Sequence, residues 1–290
     1  MSAQQECYLC RETDFSYRPG SVRDNPALKV CQCSGCGLVY LSSFAHAEKD
    51  FYEESGMHGE APLDVAKWMA NTAADDERRF HFLEPHLSGK SLLDFGCGTG
   101  GFLLKARKTA REVHGVELEK RLQSHFLKNR LTVFENIEDL RERQGAGRYD
   151  LITLFHVLEH LPDPKSMLQS LGTLLADSGE IIIEVPHADD ALLTLYECEP
   201  FSHFTYWSCH LFLFTVSTLE MLVRQAGLKP NYIRQVQRYP VSNHLYWLAR
   251  GKPGGHMVWN FLDSPELQTA YAKQLAEMGK CDTLVMSVSR

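Results

Sequence analysis

Hydrophobic and polar positions alternate with two different periods along most of the chain. Residues 62–87 place apolar side chains at the spacing of an amphipathic helix, with a proline near its start. From residue 91 onward, short apolar runs are separated by helical stretches: SLLDF, EVHGV, LTVF, YDLITLF, GEIIIEV, NYIRQV and DTLVMSV. This alternation predicts an α/β fold with a doubly wound, seven-stranded, mostly parallel sheet, whose ligands bind at the carboxyl ends of the strands.

Two segments interrupt the alternation. Residues 187–214 are rich in aromatic residues and histidines, and they either cover the site or form a packing flap. TVSTLEMLVRQAGL then predicts a helix that begins with a Ser217 to Glu220 capping box. The second irregular segment is residues 240–263. Its polar and aromatic side chains either touch substrate or support an oligomer contact: Asn243, His244, Tyr246 and His256.

Composition narrows the class of protein. The chain has 290 residues, 44% hydrophobic and 23% charged, which is ordinary for a globular protein with one large domain. It has no secretory leader pattern and no apolar stretch long enough to span a bilayer, so we expect a cytoplasmic protein without a membrane partner. The net charge is −7 and the basic residues are scattered, which argues against nucleic acid as a partner and leaves an oligomer open.

The cysteines are concentrated near the N-terminus. Cys7 and Cys10 form one CxxC unit, and Cys33 and Cys36 form a second that is followed by a glycine. Two such units at this separation are typical of a zinc ribbon, in which four thiolates close a tetrahedral shell around a structural Zn²⁺. Cys31 could replace Cys33 as the third ligand, although only Cys33 gives the CxxC spacing.

A glycine-rich turn follows the first strand of the predicted sheet. The strand ends in Asp94, and Gly96, Gly98 and Gly100 follow at alternate positions. Glycines permit a tight turn and a close backbone approach to a ligand, and the next helix offers free amide donors. An acid before the glycines repels a pyrophosphate but suits a ligand with a cationic amino group or hydroxyls. Because Glu117 ends the next strand, where it can accept hydrogen bonds from ribose hydroxyls, the implied ligand combines a nucleoside with an amino acid.

DFGCGTG and GVELE resemble the first two motifs of the class I methyltransferases that use S-adenosylmethionine. The resemblance implies a Rossmann-like methyltransferase fold with this cofactor. In that family the residues after the third strand flank adenine, which here are Asn136 and Ile137. The resemblance therefore implies cofactor contacts from Asp94, Gly96, Cys97, Gly98, Gly100, Glu117, Leu118, Asn136, Ile137, Phe155, His156 and Val157.

HVLEH, residues 156–160, has two interpretations. Metalloproteases use this spacing to bind zinc, which requires a continuous helix that presents both histidines on one face. Here the stretch follows a strand directly, and Pro162 interrupts a long helix. HVLEHLPDP instead resembles the fourth methyltransferase motif, whose first residues lie beneath the methionine part of the cofactor. His160 is then either a supporting histidine or a base within reach of the substrate.

The cysteine units followed by DFGCGTG, HVLEHLPDP and HLFLFTVSTLEMLVRQAGL resemble the zinc-ribbon methyltransferases that include sugar C-methyltransferases. In those enzymes a tyrosine and a histidine three residues later are implicated in proton removal. Alignment places His210 at the histidine and Trp207 at the tyrosine, with Tyr206 displaced by one. We expect no counterpart here of their further C-terminal domain. The predicted catalytic residues are His210 as the base, then Tyr206 and His160.

These patterns predict a zinc-ribbon module at 1–45, a helical linker and cofactor lid at 46–88, and a methyltransferase domain at 89–290 with substrate-cap insertions at 187–214 and 240–263. We expect methyl transfer from S-adenosylmethionine to a small metabolite, a sugar nucleotide or a glycan precursor, with Zn²⁺ in a structural role. The alternatives are an RNA methyltransferase whose ribbon grips nucleic acid, and a non-catalytic module that binds S-adenosylmethionine.

Overall fold

The structure, a computed structural model, describes residues 6–47 and 62–290. Residues 1–5 of the expected ribbon and 48–61 of the expected linker lie outside that description. The smaller of the two sheets in the described residues is antiparallel, in the order β1-β2-β3-β9. Its strands are Phe15–Tyr17 (β1), Val30–Cys33 (β2), Val39–Leu41 (β3) and Phe212–Leu213 (β9).

The larger sheet contains the strands that the apolar runs predict. They are Ser91–Phe95 (β4), Glu112–Val116 (β5), Thr132–Phe134 (β6), Tyr149–Phe155 (β7), Leu175–Pro186 (β8), Lys229–Val236 (β10) and Thr283–Ser289 (β11). Their order is β10-β11-β8-β7-β4-β5-β6, and β11 runs antiparallel to both of its neighbours. The other pairings from β8 to β6 are parallel, which confirms the predicted fold class.

Helices flank this sheet. The longest of them in the described residues is α1 (Val65–Leu87), which begins where the Asp64 carboxylate accepts a hydrogen bond from the Lys67 amide at 2.9 Å. The others are Gly101–Ala106 (α2), Gln123–Asn129 (α3), Ile137–Gln144 (α4), Pro164–Gly172 (α5), Ala191–Thr194 (α6), Glu199–Ser202 (α7), Val216–Gln225 (α8), Val241–Arg250 (α9), Gly255–Val258 (α10) and Pro265–Glu277 (α11). In the described part of the chain, no helix is both long enough and apolar enough to cross a bilayer.

The central strands are buried on both faces. All five residues of β4 are buried, and Ile181, Ile182 and Ile183 of β8 are fully inaccessible. Continuous apolar runs are what a parallel sheet covered by helices requires. Because β4, β5 and β7 are parallel neighbours, their carboxyl ends meet at one edge, where the site lies.

The start of α8 differs from the prediction. The Thr218 amide donates to the Thr215 hydroxyl at 3.3 Å, and the Thr215 amide donates to the Thr218 hydroxyl at 2.9 Å. Thr215 has extended backbone directly before the helix, so it is the N-cap. The capping box therefore lies two residues before the predicted Ser217 to Glu220 pair.

Candidate active site

A cavity of about 670 Å³ lies at the carboxyl edge of the sheet. The loops after β4, β5 and β7 form its floor, and α1 covers one side through Trp68, Thr72 and Arg79. Its lining also includes His160, Trp207 and His210. The cavity is thus lined by sheet loops, by one helix, and by a group of aromatic and imidazole rings.

The glycine turn after β4 brings backbone to the cavity wall. Gly96 has φ of +75°, and a Cβ there would lie 2.4 Å from Cγ2 of Val157. Gly98 has φ of +52° and faces Trp68, which would lie 3.4 Å from an added Cβ. Since a side chain at Gly96 would have to displace Val157, the turn needs glycine for both conformation and space.

Asp94, at the end of β4, is almost completely buried beside the turn. Its Oδ1 accepts a hydrogen bond of 2.7 Å from the Thr153 hydroxyl. Burial raises the pKa of this carboxyl to about 7, although the Thr153 bond and the positive charge of Arg79 act in the opposite direction. A cationic partner beside this carboxyl would stabilise its ionised form and lower its pKa.

Glu117 follows β5 and is held by backbone donors. The Gly98 amide donates to its Oε2 at 2.7 Å, and the Glu119 amide donates to its Oε1 at 3.0 Å. Burial raises the pKa of Glu117, and these amide bonds partly offset that effect. Each carboxylate oxygen keeps capacity for a further hydrogen bond, so the group can accept from a ligand hydroxyl while its position is fixed.

A buried ionic cluster supports the wall between α1 and β8. Glu184, only 1% exposed, accepts hydrogen bonds from Arg79 Nη2 at 2.7 Å and from Arg78 Nη1 at 3.0 Å. Burial opposes ionisation of Glu184, but its bond to His156 and the two arginines hold its pKa well below the ordinary value. Arg238, which lines the cavity, pairs with Asp75 of α1.

Sequence reasoning missed this cluster. Arg79 bonds to Glu184, which lies 105 residues further along the chain. The guanidinium of Arg79 also lies 4.5 Å from the ring centroid of Phe155. The available signal was the charge on the inward face of α1, where Asp76 and Arg79 are both buried. Charged residues on a buried helix face require partners, so they point to a site.

HVLEH does not form the continuous helix of a metalloprotease. Its first residue, His156, directly follows β7 with φ of +55°, and Leu158–His160 form a 3₁₀ turn. His156 Nδ1 lies 3.2 Å from Oε1 of Glu159, whereas Nδ1 of His160 donates to the Cys209 carbonyl at 2.8 Å. Nε2 of His160 also lies 3.9 Å from Oε1 of Glu159, so the two imidazoles flank one carboxylate. Both histidines line the cavity, and the stretch forms cavity wall instead.

His210 lines the cavity beside His160 and Trp207. Its ring centroid is 4.8 Å from that of His160 and 5.6 Å from that of Trp207, with edge-on geometry in both pairs. Burial lowers the pKa of His210 to about 3, with the neighbouring His160 also lowering it and Glu159 raising it. The imidazole is therefore neutral at pH 7, and the ordinary pKa that made it attractive as a base does not apply.

Tyr206 does not line the cavity. Its side chain is 2% exposed, and the charges that act on its hydroxyl are those of Arg18 and Asp190. Trp207 takes the place on the wall that alignment gave to a tyrosine. Of the three predicted catalytic residues, the structure therefore brings His160 and His210 to the cavity and leaves Tyr206 outside it.

Most of the predicted cofactor residues share the cavity. Those that line it are Asp94, Gly96, Cys97, Gly98, Glu117, Leu118, Asn136, Ile137, Phe155, His156 and Val157. Gly100 lies just outside and starts α2 in a left-handed conformation, where an added Cβ would be 2.6 Å from Leu131. Within the described chain, no residue of the 240–263 segment is on the wall, and its role as a substrate cap stays a prediction.

The four predicted zinc ligands lie together. The Sγ atoms of Cys7 and Cys36 are 3.5 Å apart, those of Cys10 and Cys33 are 3.4 Å apart, and all four lie within 4.8 Å of one another. Zn–S bonds of about 2.3 Å give tetrahedral edges of about 3.8 Å, so this donor set fits one Zn²⁺. Cys31 is not in the group.

A family model described as a methyltransferase domain matches residues 65–232. The chain belongs to this methyltransferase family. The matched range contains the glycine turn, Glu117, HVLEH and His210, and every cavity-lining residue except Arg238 lies inside it. The chain is accordingly a class I enzyme that uses S-adenosylmethionine, as the sequence predicts.

Curated relatives and solved structures agree with this family. A ubiquinone biosynthesis O-methyltransferase of Acinetobacter baylyi is 26% identical over 195 residues, covering 62% of this methyltransferase and 81% of the relative. The enzyme of the same name from Bordetella avium is 30% identical over 168 residues, covering 54% and 69%. A SAM-dependent methyltransferase from Archaeoglobus fulgidus superposes with a TM-score of 0.54 at 18% identity, covering 79% of this chain and all of that one.

Proposed function

We propose that the methyltransferase binds S-adenosylmethionine along the glycine turn. Asp94 would face the cationic amino end, and Glu117 would accept from the ribose hydroxyls. Asn136 and Ile137 would flank adenine, and the Phe155–Val157 wall would lie beneath the methionine part. The observation that carries this proposal is the cavity with a glycine backbone cradle between two buried acids, at the carboxyl edge of a methyltransferase sheet.

When bound, S-adenosylmethionine supplies an electrophilic methyl group that a nucleophile attacks in line. The residues of the chain then act mainly by positioning the acceptor and excluding water. Trp207, His210 and His160 line the cavity as one group of neighbouring rings outside the glycine cradle. We assign the acceptor to this group and call it the acceptor end. Helix α1 would serve as the cofactor lid, because Trp68 and Arg79 lie on the side opposite the sheet loops.

His210 is the residue that we propose as proton acceptor. Its imidazole is neutral at pH 7 because burial lowers its pKa, and a neutral imidazole has a free nitrogen lone pair. The imidazolium that forms would be stabilised by the Glu159 carboxylate, whose charge raises the pKa of His210. Because a base with such a low pKa is weak, it suits an acceptor that loses its proton easily or late in the reaction.

The acceptor is a small molecule in this proposal. The two curated relatives reported above carry the word O-methyltransferase in their names, so a hydroxyl oxygen is the first acceptor atom to test. A sugar-type acceptor, which the zinc-ribbon resemblance implies, is the second class of probe. We also propose that Cys7, Cys10, Cys33 and Cys36 hold one structural Zn²⁺, since their sulfurs already converge.

The test combines labelled cofactor with a metabolite extract, followed by isolation of the labelled product. We expect a labelled small molecule with the wild-type chain. With His210→Ala we expect product formation at least about 100-fold slower but cofactor affinity within about three-fold, as for loss of a general base. His203→Ala, an exposed histidine of the same segment, is the matched control. Equal rates for His210→Ala and His203→Ala would remove the assigned role, and absence of any labelled product would overturn the proposed activity.

A further inference from the structure

The small sheet joins the cysteine module to the acceptor end of the cavity. Strand β3, which follows the second CxxC unit, pairs with β9 through Val39 opposite Leu213 and Tyr40 opposite Phe212. The Leu41 amide also donates to the Leu211 carbonyl at 3.0 Å. His210 is therefore separated by one residue from strand β9. In the described residues β9 pairs with β3, which belongs to the cysteine module.

A second attachment lies on the other side of His210. The Asp24 carboxylate accepts from the Ser208 amide at 2.9 Å and from the Ser208 hydroxyl at 2.6 Å. The backbone amide of Arg23 donates to the Tyr206 carbonyl at 3.0 Å. The guanidinium of Arg23 lies 4.6 Å from the ring centroid of Trp207. Residues 206–208 are thus held by the loop between β1 and β2.

The first CxxC unit supplies a third attachment. Tyr8, between its two cysteines, bonds through its hydroxyl to Asp163 and packs its ring 5.2 Å from that of Phe212. The Gln225 side chain donates to the Leu9 carbonyl at 3.0 Å. The first cysteine unit therefore contacts the methyltransferase domain directly, and the strand that follows the second unit, β3, pairs with β9.

The cofactor end of the cavity has a different foundation. It is built from loops of the large sheet and from α1, and none of the described residues 6–47 lines the cavity. Residues 206–213, which include Trp207 and His210, contain by contrast only the two-residue strand β9 as regular structure. A short module of this kind has too little core to hold its shape without a metal.

We propose that the four-cysteine module, with its metal bound, is the positioning element of the acceptor site: it fixes residues 206–213 and so places Trp207 and His210, while contributing nothing to cofactor binding. The inference rests on the proposed function for the role of His210 and for the metal. It adds that loss of one thiolate loosens the acceptor end of the cavity and leaves cofactor binding intact.

The experiment compares Cys10→Ala with Cys31→Ala in the full chain. Cys10 belongs to the four-sulfur group, whereas Cys31 lies in β2 of the same module but outside the group. Hydrogen exchange by mass spectrometry follows peptides from 206–214 and from β7, calorimetry measures S-adenosylmethionine affinity, and elemental analysis counts the metal. For Cys10→Ala we expect loss of metal, exchange at least about ten-fold faster in 206–214, unchanged exchange in β7, and affinity within about three-fold. Cys31→Ala should keep metal and protection.

Asp24→Asn provides a variant that leaves all four cysteines in place. It weakens the bonds to Ser208, so we expect faster exchange in 206–209 with full metal content. Unchanged exchange in 206–214 after metal loss would overturn the proposal, and so would exchange that rises equally in β7, since the module would then support the whole fold. Failure of the wild-type chain to bind S-adenosylmethionine would refute the proposed function instead, because exchange and metal content are measured without the cofactor.

Discussion

The pH dependence of cofactor affinity tests the role of Asp94 quantitatively. Burial raises the pKa of this carboxyl to about 7 when no cation is beside it. If only the ionised form binds a cationic amino group, affinity follows the ionised fraction, which is about 3% at pH 5.5 and about 50% at pH 7. Affinity should therefore rise about 15-fold over this range, equivalent to about 1.6 kcal/mol.

The sign follows from the direction of the shift. A carboxyl whose pKa is raised is protonated, and so unable to pair with a cation, below its raised pKa. Binding of the amino group returns the pKa toward its ordinary value, so one proton is released at pH 6 and fewer as the pH rises. The range ends at pH 7 because an ordinary α-amino group begins to lose its proton above it.

Titration calorimetry with S-adenosylmethionine in buffers of different ionisation enthalpy measures both affinity and proton release. Asp94→Asn should bind more weakly at pH 7 and lose the slope, since its side chain does not titrate. Asp177→Asn, which changes an exposed acid outside the cavity, should keep the wild-type slope. The same slope in Asp94→Asn as in the wild type would refute the reasoning.

Three further changes test other parts of the account. Gly96→Ala should weaken S-adenosylmethionine binding at least about ten-fold by calorimetry, because its Cβ would lie 2.4 Å from Val157; Gly145→Ala, at φ of +76° with nothing within 4 Å of the added Cβ, should leave binding unchanged. Glu184→Gln should lower the free energy of unfolding in urea by about 3–5 kcal/mol, because it removes the charge of the buried carboxylate that Arg78 and Arg79 share; a loss under 1 kcal/mol would contradict this. Thr215→Ala should cost about 1 kcal/mol in the same assay through loss of the helix cap, and no change would contradict the observed capping box.

The large sheet and the cofactor cradle could be predicted because their signals are local. The short run SLLDF contains Asp94 and continues into alternate glycines, so it includes its own turn chemistry. The same holds for Glu117, which directly follows the next run, EVHGV. Parallel strands place their carboxyl ends together, so local patterns at two strand ends were enough to predict one shared site.

The ionic cluster and the acceptor end depend on contacts that no local pattern shows. Arg79 and Glu184 form an ion pair although they are 105 residues apart in the sequence. The two-residue strand β9 forms by pairing with β3, which is also distant in the sequence. Burial, which changed the expected pKa of His210, is likewise a property of the folded chain. Tyr206 was placed by alignment with a motif that this sequence matches only in part.

Titration of the full chain with S-adenosylmethionine, for the wild type and for Glu117→Ala, tests the central claim most directly. The account predicts one bound cofactor per chain and an affinity about 10- to 100-fold lower in Glu117→Ala, because a buried carboxylate that accepts from ligand hydroxyls is removed. No binding by the wild-type chain, or equal affinity in the two proteins, would contradict it.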